Sequence, residues 1–215
     1  MYQTILFDLD GTLTASGEGI TKCVQYALGK FGIDEPDLKK LEIFIGPPLK
    51  EMMMQYAGLD EQQAEQAVRY YRERYSEKGI FENHPYPGIE NMLKTLQDRG
   101  YRLAVASSKP THYVLQILEH FHLSPFFEVV VGSEMNGKRV RKGEVIEEAL
   151  TQLGMQDDRS HAVMVGDREH DILGARQTGL ACVAVSYGYG SKEELEKAEP
   201  AAIVNSVEEL MDFFE

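Results

Sequence analysis

Two carboxylates, Asp8 and Asp10, stand directly after an apolar run near the start of the chain, in the stretch YQTILFDLDGTLT. Burial disfavours an ionised carboxylate, so solvent would be the less costly place for both. Carboxylates held at such a position can bind a cation, attack an electrophile or transfer a proton. Taken alone, Asp-Leu-Asp-Gly is also compatible with an ordinary solvated turn after a strand, and the rest of the chain must decide between the two.

Polar residues follow two later apolar runs in the same way. Ser107, Ser108 and Lys109 come after one run, and Asp167 comes after another. Asp171 follows Asp167 by four residues, which is about one helical turn and brings the two carboxylates to the same side. The chain therefore carries hydroxyl, ammonium and carboxylate groups at three comparable positions.

The elements that position these residues are predicted to alternate between strands and helices. Apolar residues spaced i, i+3, i+4 and i+7 indicate helices between the apolar runs, for example in Ile89–Leu96. Such alternation is typical of an α/β fold with a doubly wound parallel sheet, which binds ligands outside the carboxyl ends of its strands. We therefore expect the candidate residues at one edge of the sheet. The runs predicted as strands are Thr4–Phe7, Leu103–Ala106, Val129–Val131, Ala162–Val165 and Ala181–Val185.

Residues 16–83 break this alternation, because they show helical patterns and no convincing strand. Glu61–Lys78, for example, carries apolar residues spaced for one face of a helix. Turn signals bound the segment, with Ser-Gly at its start and a proline-rich stretch after its end. We therefore predict a core of residues 1–15 and 84–215, with a small all-helical cap inserted after the first strand, where it can act as a lid.

The chain resembles the haloacid dehalogenase superfamily in four ordered motifs, FDLDGTLT, LAVASSKP, RKGEVIEEAL and MVGDREHDILGA. The resemblance spans essentially the whole chain. The helical insert resembles the cap of the branch that contains phosphoglycolate phosphatases and bacterial 5′-nucleotidase-like proteins. The resemblance implies a Rossmann-like core and a Mg²⁺-dependent phosphatase that hydrolyses small phosphate monoesters through an aspartyl-phosphate.

The first motif then supplies the covalent chemistry. The resemblance implies that Asp8 is the nucleophile, and that Asp10 protonates the leaving oxygen and later deprotonates the attacking water. It also implies that the backbone carbonyl of Asp10 reaches the metal ion. Gly11 allows a sharp turn, and Thr12 can hold that turn by a hydrogen bond, so both are expected at the substrate.

The second motif is expected to bind the phosphate. Ser107 matches the Ser or Thr of the family and should offer its hydroxyl and amide to a phosphate oxygen, with Ser108 and Lys109 as further substrate contacts. Ser108 stands where many phosphoglycolate phosphatases carry Asn, so that Ser-Ser-Lys-Pro favours the 5′-nucleotidase-like branch. Helix capping by a serine before Pro110 is the alternative interpretation.

Lys142 is the candidate for the lysine of the third motif, which pairs with the nucleophile and the phosphate. It opens an amphipathic run and is followed by a small residue, although the usual Lys-Pro of the family is Lys-Gly here. Lys138, Arg139 and Arg141 lie close in sequence and compete for the same role.

The candidate metal ligands are the acidic residues Asp8, Asp167 and Asp171, together with Asp10. A phosphate dianion beside two carboxylates is repelled by roughly 4 kcal/mol for each pair of unit charges 4 Å apart at an effective dielectric near 20. A divalent cation and a lysine are therefore required, and hard oxygen ligands favour Mg²⁺ over zinc. Asp171 is expected to act directly or through water. The neighbouring His170 is interpreted as solvated or lid-contacting rather than as a ligand.

The composition excludes several classes of function. A net charge of −13 without a dense basic run disfavours a nucleic-acid polymer as partner, whereas a small phosphorylated metabolite stays compatible. No apolar run approaches the ~18 residues of a membrane span and no basic, apolar leader precedes the first strand, so we expect a cytoplasmic protein without a membrane partner. Cys23 and Cys182 are expected to be buried reduced thiols. The oligomeric state stays open, with a monomer as the working expectation.

Other functions remain open at this point. Gly132–Lys138 nearly matches a nucleotide-binding P-loop, but Arg139 stands where a Mg²⁺-binding Ser or Thr is required. A phosphomutase shares all four motifs, and a phospho-accepting signalling module would keep the aspartyl-phosphate as a message. A binding protein that has lost turnover is the non-enzymatic alternative.

Substrate choice is expected to lie in the cap. Phe44–Leu49 is predicted as a loop that points toward the site, and its Gly46 is the candidate substrate contact. Ala15 departs from the acidic residue that relatives carry before the serine, which leaves open any substrate contact there. Phosphoglycolate and nucleoside monophosphates are the two candidate substrates, and the second motif favours the nucleotides.

Overall fold

The computed structural model describes residues 2–215. In this part of the chain, six strands form one parallel sheet in the order β3-β2-β1-β4-β5-β6. The order reverses between β1 and β4, which is where doubly wound sheets bind their ligands. The predicted α/β fold is thereby confirmed. The strands are β1 (Thr4–Phe7), β2 (Arg102–Pro110), β3 (Val129–Ser133), β4 (Ala162–Gly166), β5 (Ala181–Val185) and β6 (Ala202–Val204).

Two strands differ from the sequence prediction. β2 continues past Ala106 to Pro110, and its register with β3 shifts between these two residues. β6 was not predicted, because its three residues are too short for a recognisable apolar pattern. The irregular end of β2 means that Ser107–Lys109 belongs to the strand rather than to the loop that follows it.

The helices account for the periodic segments between the strands. Ile89, Met92, Leu93 and Leu96 are all buried on α4, as their spacing predicts. The helices in the described part of the chain are α1 (Gly17–Gly29), α2 (Leu49–Ala57), α3 (Glu61–Arg74), α4 (Ile89–Asp98), α5 (Thr111–His120), α6 (Lys142–Gln152), α7 (Glu169–Gln177), α8 (Lys192–Ala198) and α9 (Val207–Phe213).

The chain divides into two compact units. One unit contains the chain up to Thr14 together with Pro85–Glu215, and the other is Ala15–His84. The boundaries expected from the sequence, after residues 15 and 83, each differ from these by one residue. The first unit holds the whole sheet, so the candidate residues of all four motifs belong to it.

The regular secondary structure of the second unit is helical. It contains α1, α2 and α3, a 3₁₀ helix at Leu38–Phe44 and a π-helical turn at Tyr75–Gly79 that follows α3. Asp60 and Gln63 form a capping box that starts α3, with each side chain accepting a backbone N–H of the other. The guanidinium of Arg74 pairs with Glu82 at 2.7 Å and donates to the Cys23 thiol. This ion pair ties the last helical segment of the unit to its end.

One buried cluster of the first unit lies between the sheet and the helices α6 and α7. Its members come from the strands, such as Leu6 and Met164, and from the inner faces of the helices, such as Leu150 and Ile172. The Cys182 thiol is part of this core and, like Cys23, is buried without a disulfide partner. None of the helices in residues 2–215 combines the length and apolar character that crossing a membrane requires.

We expect Leu150→Ala to lower the free energy of unfolding by about 2–5 kcal/mol, because the fully buried side chain leaves a cavity between α6 and the sheet. Chemical denaturation measures this loss. Leu115→Ala is the matched control, because Leu115 also lies on a helix but is 47% exposed and should change stability by about 0.5 kcal/mol or less. Equal losses in the two variants would contradict this placement of the core.

Candidate functional site

Asp8 is the first residue after β1 and lies inside the sheet edge rather than in a solvated turn. Its backbone N–H donates to Val165 O at 2.9 Å, which continues the pairing of β1 with β4. The residue is 3% exposed. The interpretation of this segment as an ordinary solvated exit from a strand is therefore wrong.

Lys142, the first residue of α6, is the cation that meets this carboxylate. Its Nζ lies 2.8 Å from Asp8 Oδ1 and 2.8 Å from Asp171 Oδ1, and it donates to Ala106 O at 3.2 Å. Burial lowers the pKa of the Lys142 ammonium, but the charges of Asp171 and Asp8 outweigh burial, so the net pKa lies above the ordinary value. Lys142 therefore stays protonated and bridges two of the candidate acidic residues.

The competing basic residues lie in different surroundings. Arg139 pairs with Glu134 and Glu148 and donates to Gly132 O. The stretch before it forms a tight turn after β3, closed by a bond from the backbone N–H of Glu134 to Lys138 O at 2.9 Å. No helix begins at this turn in the described part of the chain, whereas a P-loop leads into one.

Asp167 and Asp171 are held by backbone donors at the end of β4 and the start of α7. Tyr189 N–H donates to Asp167 Oδ2 at 2.7 Å, and Arg168 N–H donates to Asp171 Oδ2 at 3.0 Å. Burial raises the pKa of the Asp167 carboxyl well above its ordinary value, and the charges of Asp171 and Asp8 raise it further. Burial also raises the pKa of Asp171, although the Lys142 charge partly opposes this. Both shifts indicate a site that lacks positive charge.

The carboxylates of Asp8, Asp167 and Asp171 form a cluster that fits a metal ion. One oxygen of each lies within 4.8 Å of the others, and all three residues are buried. Three carboxylates against one ammonium leave net negative charge, which a divalent cation would neutralise. The oxygen-only donor set suits a hard cation, and the cluster contains no histidine. His170 lies half-buried on α7.

Asp10 lies outside this cluster and has a partner of its own. Lys109 Nζ, at the end of β2, lies 2.9 Å from Asp10 Oδ2, and both side chains are at most 10% exposed. Asp10 Oδ1 is buried and makes no hydrogen bond within residues 2–215. Lys109, predicted as a substrate contact, thus orients the Asp10 carboxylate through Oδ2 and leaves Asp10 Oδ1 available.

The loop after Asp10 is packed against Asp167. Gly11 has φ +83°, and a Cβ atom there would lie 2.1 Å from Asp167 Oδ2, so only glycine fits. Thr12 is fully buried, and its hydroxyl donates to Asp167 Oδ1 at 3.5 Å. The first and fourth motifs are therefore in direct contact.

The serines of the second motif are placed at the end of β2. Ser107 is buried, and its hydroxyl accepts a weak bond of 3.4 Å from the Lys109 N–H, while Ser108 is half-buried. The next helix begins at Thr111 with Pro110 before it, so neither serine is its N-cap. The helix-capping interpretation is wrong for both.

Gly46, the candidate contact from the helical unit, has φ +101° in the short loop between the 3₁₀ helix and α2. The predicted loop over Phe44–Leu49 is thus a turn that requires glycine at this position. Ala15 and Ser16 lie at the start of the same unit, where Ala15 N–H donates to His84 O at 2.8 Å.

Sequence reasoning missed the loop of Tyr187–Gly190, which follows β5. In addition to the Tyr189 N–H bond to Asp167, the Tyr187 hydroxyl donates to Thr12 O at 3.0 Å. The repeated Tyr-Gly directly after a predicted strand was the available signal, since glycines there indicate close backbone approach.

The chain is similar in sequence to one known family and to several named proteins. A family model described as haloacid dehalogenase-like hydrolase matches residues 5–185. A 5′-nucleotidase of Pseudomonas aeruginosa is 48% identical over 199 residues, which cover 93% of this chain and 89% of that protein. Tyrosine-protein kinase PtkA of Mycobacterium tuberculosis is 38% identical over 95% of this chain and 69% of that protein. A phosphoglycolate phosphatase of Pseudomonas savastanoi pv. phaseolicola is 27% identical over 96% and 78%.

A solved structure shares the complete fold. It is described as a predicted phosphatase from Clostridium acetobutylicum, has a TM-score of 0.95 and is 49% identical to this chain. The match covers 99% of this chain and 98% of the other. The similarity therefore extends over both compact units.

In the metal-free protein, we expect the contribution of the Asp167 carboxyl to stability to fall as the pH rises from about 4 toward neutrality, and Asp167→Asn to remove this contribution. A carboxyl whose pKa is raised by folding stabilises the folded state below its ordinary pKa, and this contribution is lost as the pH passes through the raised value. In EDTA at neutral pH, Asp167→Asn should raise Tm by about 2–4 °C, since the amide oxygen can still accept the Tyr189 N–H.

Thermal unfolding followed by circular dichroism measures this effect. Asp157→Asn is the control, because Asp157 is an exposed acidic residue outside the cluster. A parallel pH dependence of Tm in all three proteins would contradict the unfavourable burial of the Asp167 charge.

Proposed function

The chain belongs to the haloacid dehalogenase-like hydrolase family, as its four motifs predict, and from this premise we propose that it is a Mg²⁺-dependent phosphatase of small phosphate monoesters. The prediction of a hydrolase with phosphatases among its relatives is confirmed. The observation that carries the proposal is the buried cluster of Asp8, Asp167 and Asp171 around the Lys142 ammonium. This cluster combines a nucleophile with the positive charge that a phosphate requires.

The metal ligands in this proposal are Asp8, Asp167 and Asp171, with the backbone carbonyl of Asp10 as a further oxygen. When bound, Mg²⁺ would offset the negative charge of the phosphate oxygens and of the carboxylates around them. The burial that raises the pKa of Asp167 and Asp171 supports this occupancy, because a cation would favour their ionised forms.

The first chemical step is assigned to Asp8 and Asp10. A carboxylate oxygen of Asp8 forms a bond to phosphorus while the bond from phosphorus to the ester oxygen breaks, giving an aspartyl-phosphate. Asp10, through its available Oδ1, gives a proton to the departing oxygen, which leaves as an alcohol. Lys142 keeps the Asp8 carboxylate in place and offsets the charge of the incoming phosphate.

The second step returns both residues to their starting states. Water attacks the phosphorus, its proton goes to Asp10, and the bond between phosphorus and Asp8 breaks. The products of the two steps are one alcohol and one phosphate for each ester and water consumed. Buried Asp10 can serve in both steps because it lies two residues from the nucleophile and is oriented by Lys109.

The phosphate is proposed to bind at the ends of β1 and β2. The hydroxyl and amide of Ser107 are the expected donors to a phosphate oxygen, and Ser108 lies next to it on β2. The remaining proposed contacts are Gly11, Thr12 and Lys109 in the core, and Gly46 in the helical unit, which we propose as the lid that selects the substrate.

Nucleoside monophosphates are the proposed substrate class. The 5′-nucleotidase relative has a higher identity to this chain than the phosphoglycolate phosphatase relative. The Ser-Ser-Lys-Pro sequence that ends β2 supports the same choice. The phosphomutase and the signalling module are not favoured by these relatives.

A tyrosine kinase is the second candidate, because PtkA shares most of its length with this chain. A kinase would transfer the phosphoryl group from a nucleotide to a tyrosine hydroxyl, whereas a phosphatase transfers it to water. The same acidic cluster can serve both reactions, so the acceptor distinguishes them.

We expect Asp8→Asn to reduce phosphate release by about a thousandfold or more, because no carboxylate remains to form the covalent intermediate. Steady-state release of phosphate measures the rate, and acid quenching traps the phosphorylated protein in the wild type alone. Asp157→Asn is the matched control and should retain the wild-type rate. Wild-type turnover by Asp8→Asn would contradict the mechanism.

We expect a panel of phosphate esters to show kcat/KM at least about tenfold higher for 5′-nucleoside monophosphates than for phosphoglycolate or sugar phosphates, a difference of ~1.4 kcal/mol in transition-state binding. A parallel reaction with ATP and a tyrosine peptide tests the kinase alternative. A flat profile would contradict a dedicated nucleotidase, and phosphopeptide formation without phosphate release would favour the kinase.

A further inference from the structure

We propose that the loop Tyr187–Gly190, between β5 and α8, is a positioning element that fixes the carboxylate of Asp167 for metal binding. The inference rests on the proposed function, because it assigns to this loop a role toward the same metal ion. The loop carries no candidate catalytic group. Its role would be to orient a ligand that another strand supplies.

The backbone of the loop encloses Asp167 on two sides. A Cβ atom on Gly188 would lie 2.4 Å from Asp167 Cβ and 2.4 Å from Asp167 Oδ2. A Cβ atom on Gly190 would lie 2.0 Å from Asp167 O. Distances below 3.0 Å do not occur for real Cβ atoms, so both positions require glycine if Asp167 is to keep its place.

The loop also determines which carboxylate oxygen is available. The Tyr189 N–H donates to Asp167 Oδ2 at 2.7 Å, whereas the Thr12 hydroxyl donates to Oδ1 over a longer distance of 3.5 Å. A fixed donor to one oxygen holds the plane of the carboxylate, and Oδ1, with the weaker partner, would be the oxygen offered to a metal ion. Partners of this kind change metal affinity by roughly 10–100-fold in metalloproteins.

The side chain of Tyr187 anchors the loop to the first motif. Its hydroxyl donates to Thr12 O at 3.0 Å, and its ring packs edge-on against Tyr86 with the ring centroids 4.9 Å apart. Gly188 also lies close to the first motif, since a Cβ atom added there would be 2.4 Å from Gly11 O. The loop thus joins the segment that follows Asp8 to the segment that holds Asp167.

The test compares Mg²⁺ and Mn²⁺ binding by wild-type and variant proteins, using titration calorimetry and the rise in Tm on adding metal. We expect Gly188→Ala to raise the Kd for either ion by about tenfold or more, because the added methyl group displaces Asp167. Tyr187→Phe should raise Kd by about threefold, which is less than the change of roughly 10–100-fold for a residue that bonds a metal ligand directly, because Tyr187 acts through Thr12.

Two controls separate this effect from general destabilisation. Tyr101→Phe removes a tyrosine hydroxyl that donates to a backbone carbonyl at 3.0 Å, as the Tyr187 hydroxyl does. The acceptor is Phe214 O, which is not part of the acidic cluster. Gly29→Ala adds a methyl group on α1 where no atom lies within 4 Å. Both controls should keep the wild-type Kd.

The outcomes distinguish this inference from the proposed function. A folded Gly188→Ala protein with wild-type metal affinity, while wild type binds Mg²⁺ and releases phosphate, overturns the inference alone. If Gly188→Ala does not fold, equal Kd values for Tyr187→Phe and Tyr101→Phe overturn it instead. A wild-type chain that binds neither ion and releases no phosphate overturns the proposed function, and the inference with it.

Discussion

Negative charge buried at the edge of the sheet is the constraint on which the rest of this structure depends. The carboxylates of Asp8, Asp167 and Asp171 are concentrated where water can solvate them poorly, and the ammonium of Lys142 offsets only part of their charge. Burial, with a smaller part from the neighbouring carboxylates, raises the pKa of Asp167 and Asp171. Such an arrangement is unfavourable for stability by itself, and a divalent cation held by these carboxylates would offset part of their repulsion.

The fold brings these charges together by placing β1 between β2 and β4. Each strand ends at the same edge, so that Asp8 after β1, Lys109 at the end of β2 and Asp167 after β4 become neighbours although any two of them are at least 58 positions apart in sequence. Helix α6 adds Lys142 from its first turn. The glycine at position 11 allows the first motif to approach Asp167 closely. The packing of α6 and α7 against the sheet holds these charged groups in fixed relative positions.

The relatives of this chain have names that imply different phosphoryl acceptors on a similar scaffold. A 5′-nucleotidase and a tyrosine kinase both align with nearly the whole chain. Charge neutralisation around a phosphoryl group is required whether water or a hydroxyl receives it. In our proposal the acidic cluster supplies what both reactions need, whereas substrate and acceptor depend on groups outside it, for which the helical unit is our candidate.

The sequence by itself determined the parallel α/β fold, because buried strands and the polar residues at their ends are local patterns. The family was indicated by the resemblance of its four motifs, which also pointed to the acidic residues. It predicted the pairing of Lys142 with Asp8 but not the second contact of Lys142 with Asp171. It also did not reveal that Lys109 pairs with Asp10 or that Tyr187–Gly190 encloses Asp167. The short strand β6 and the extension of β2 were missed for a related reason, since three residues and an irregular strand end carry little periodicity. These features were decided by the tertiary structure, because each depends on which strands lie side by side. Spacing along the chain does not encode the distance between residues on different strands.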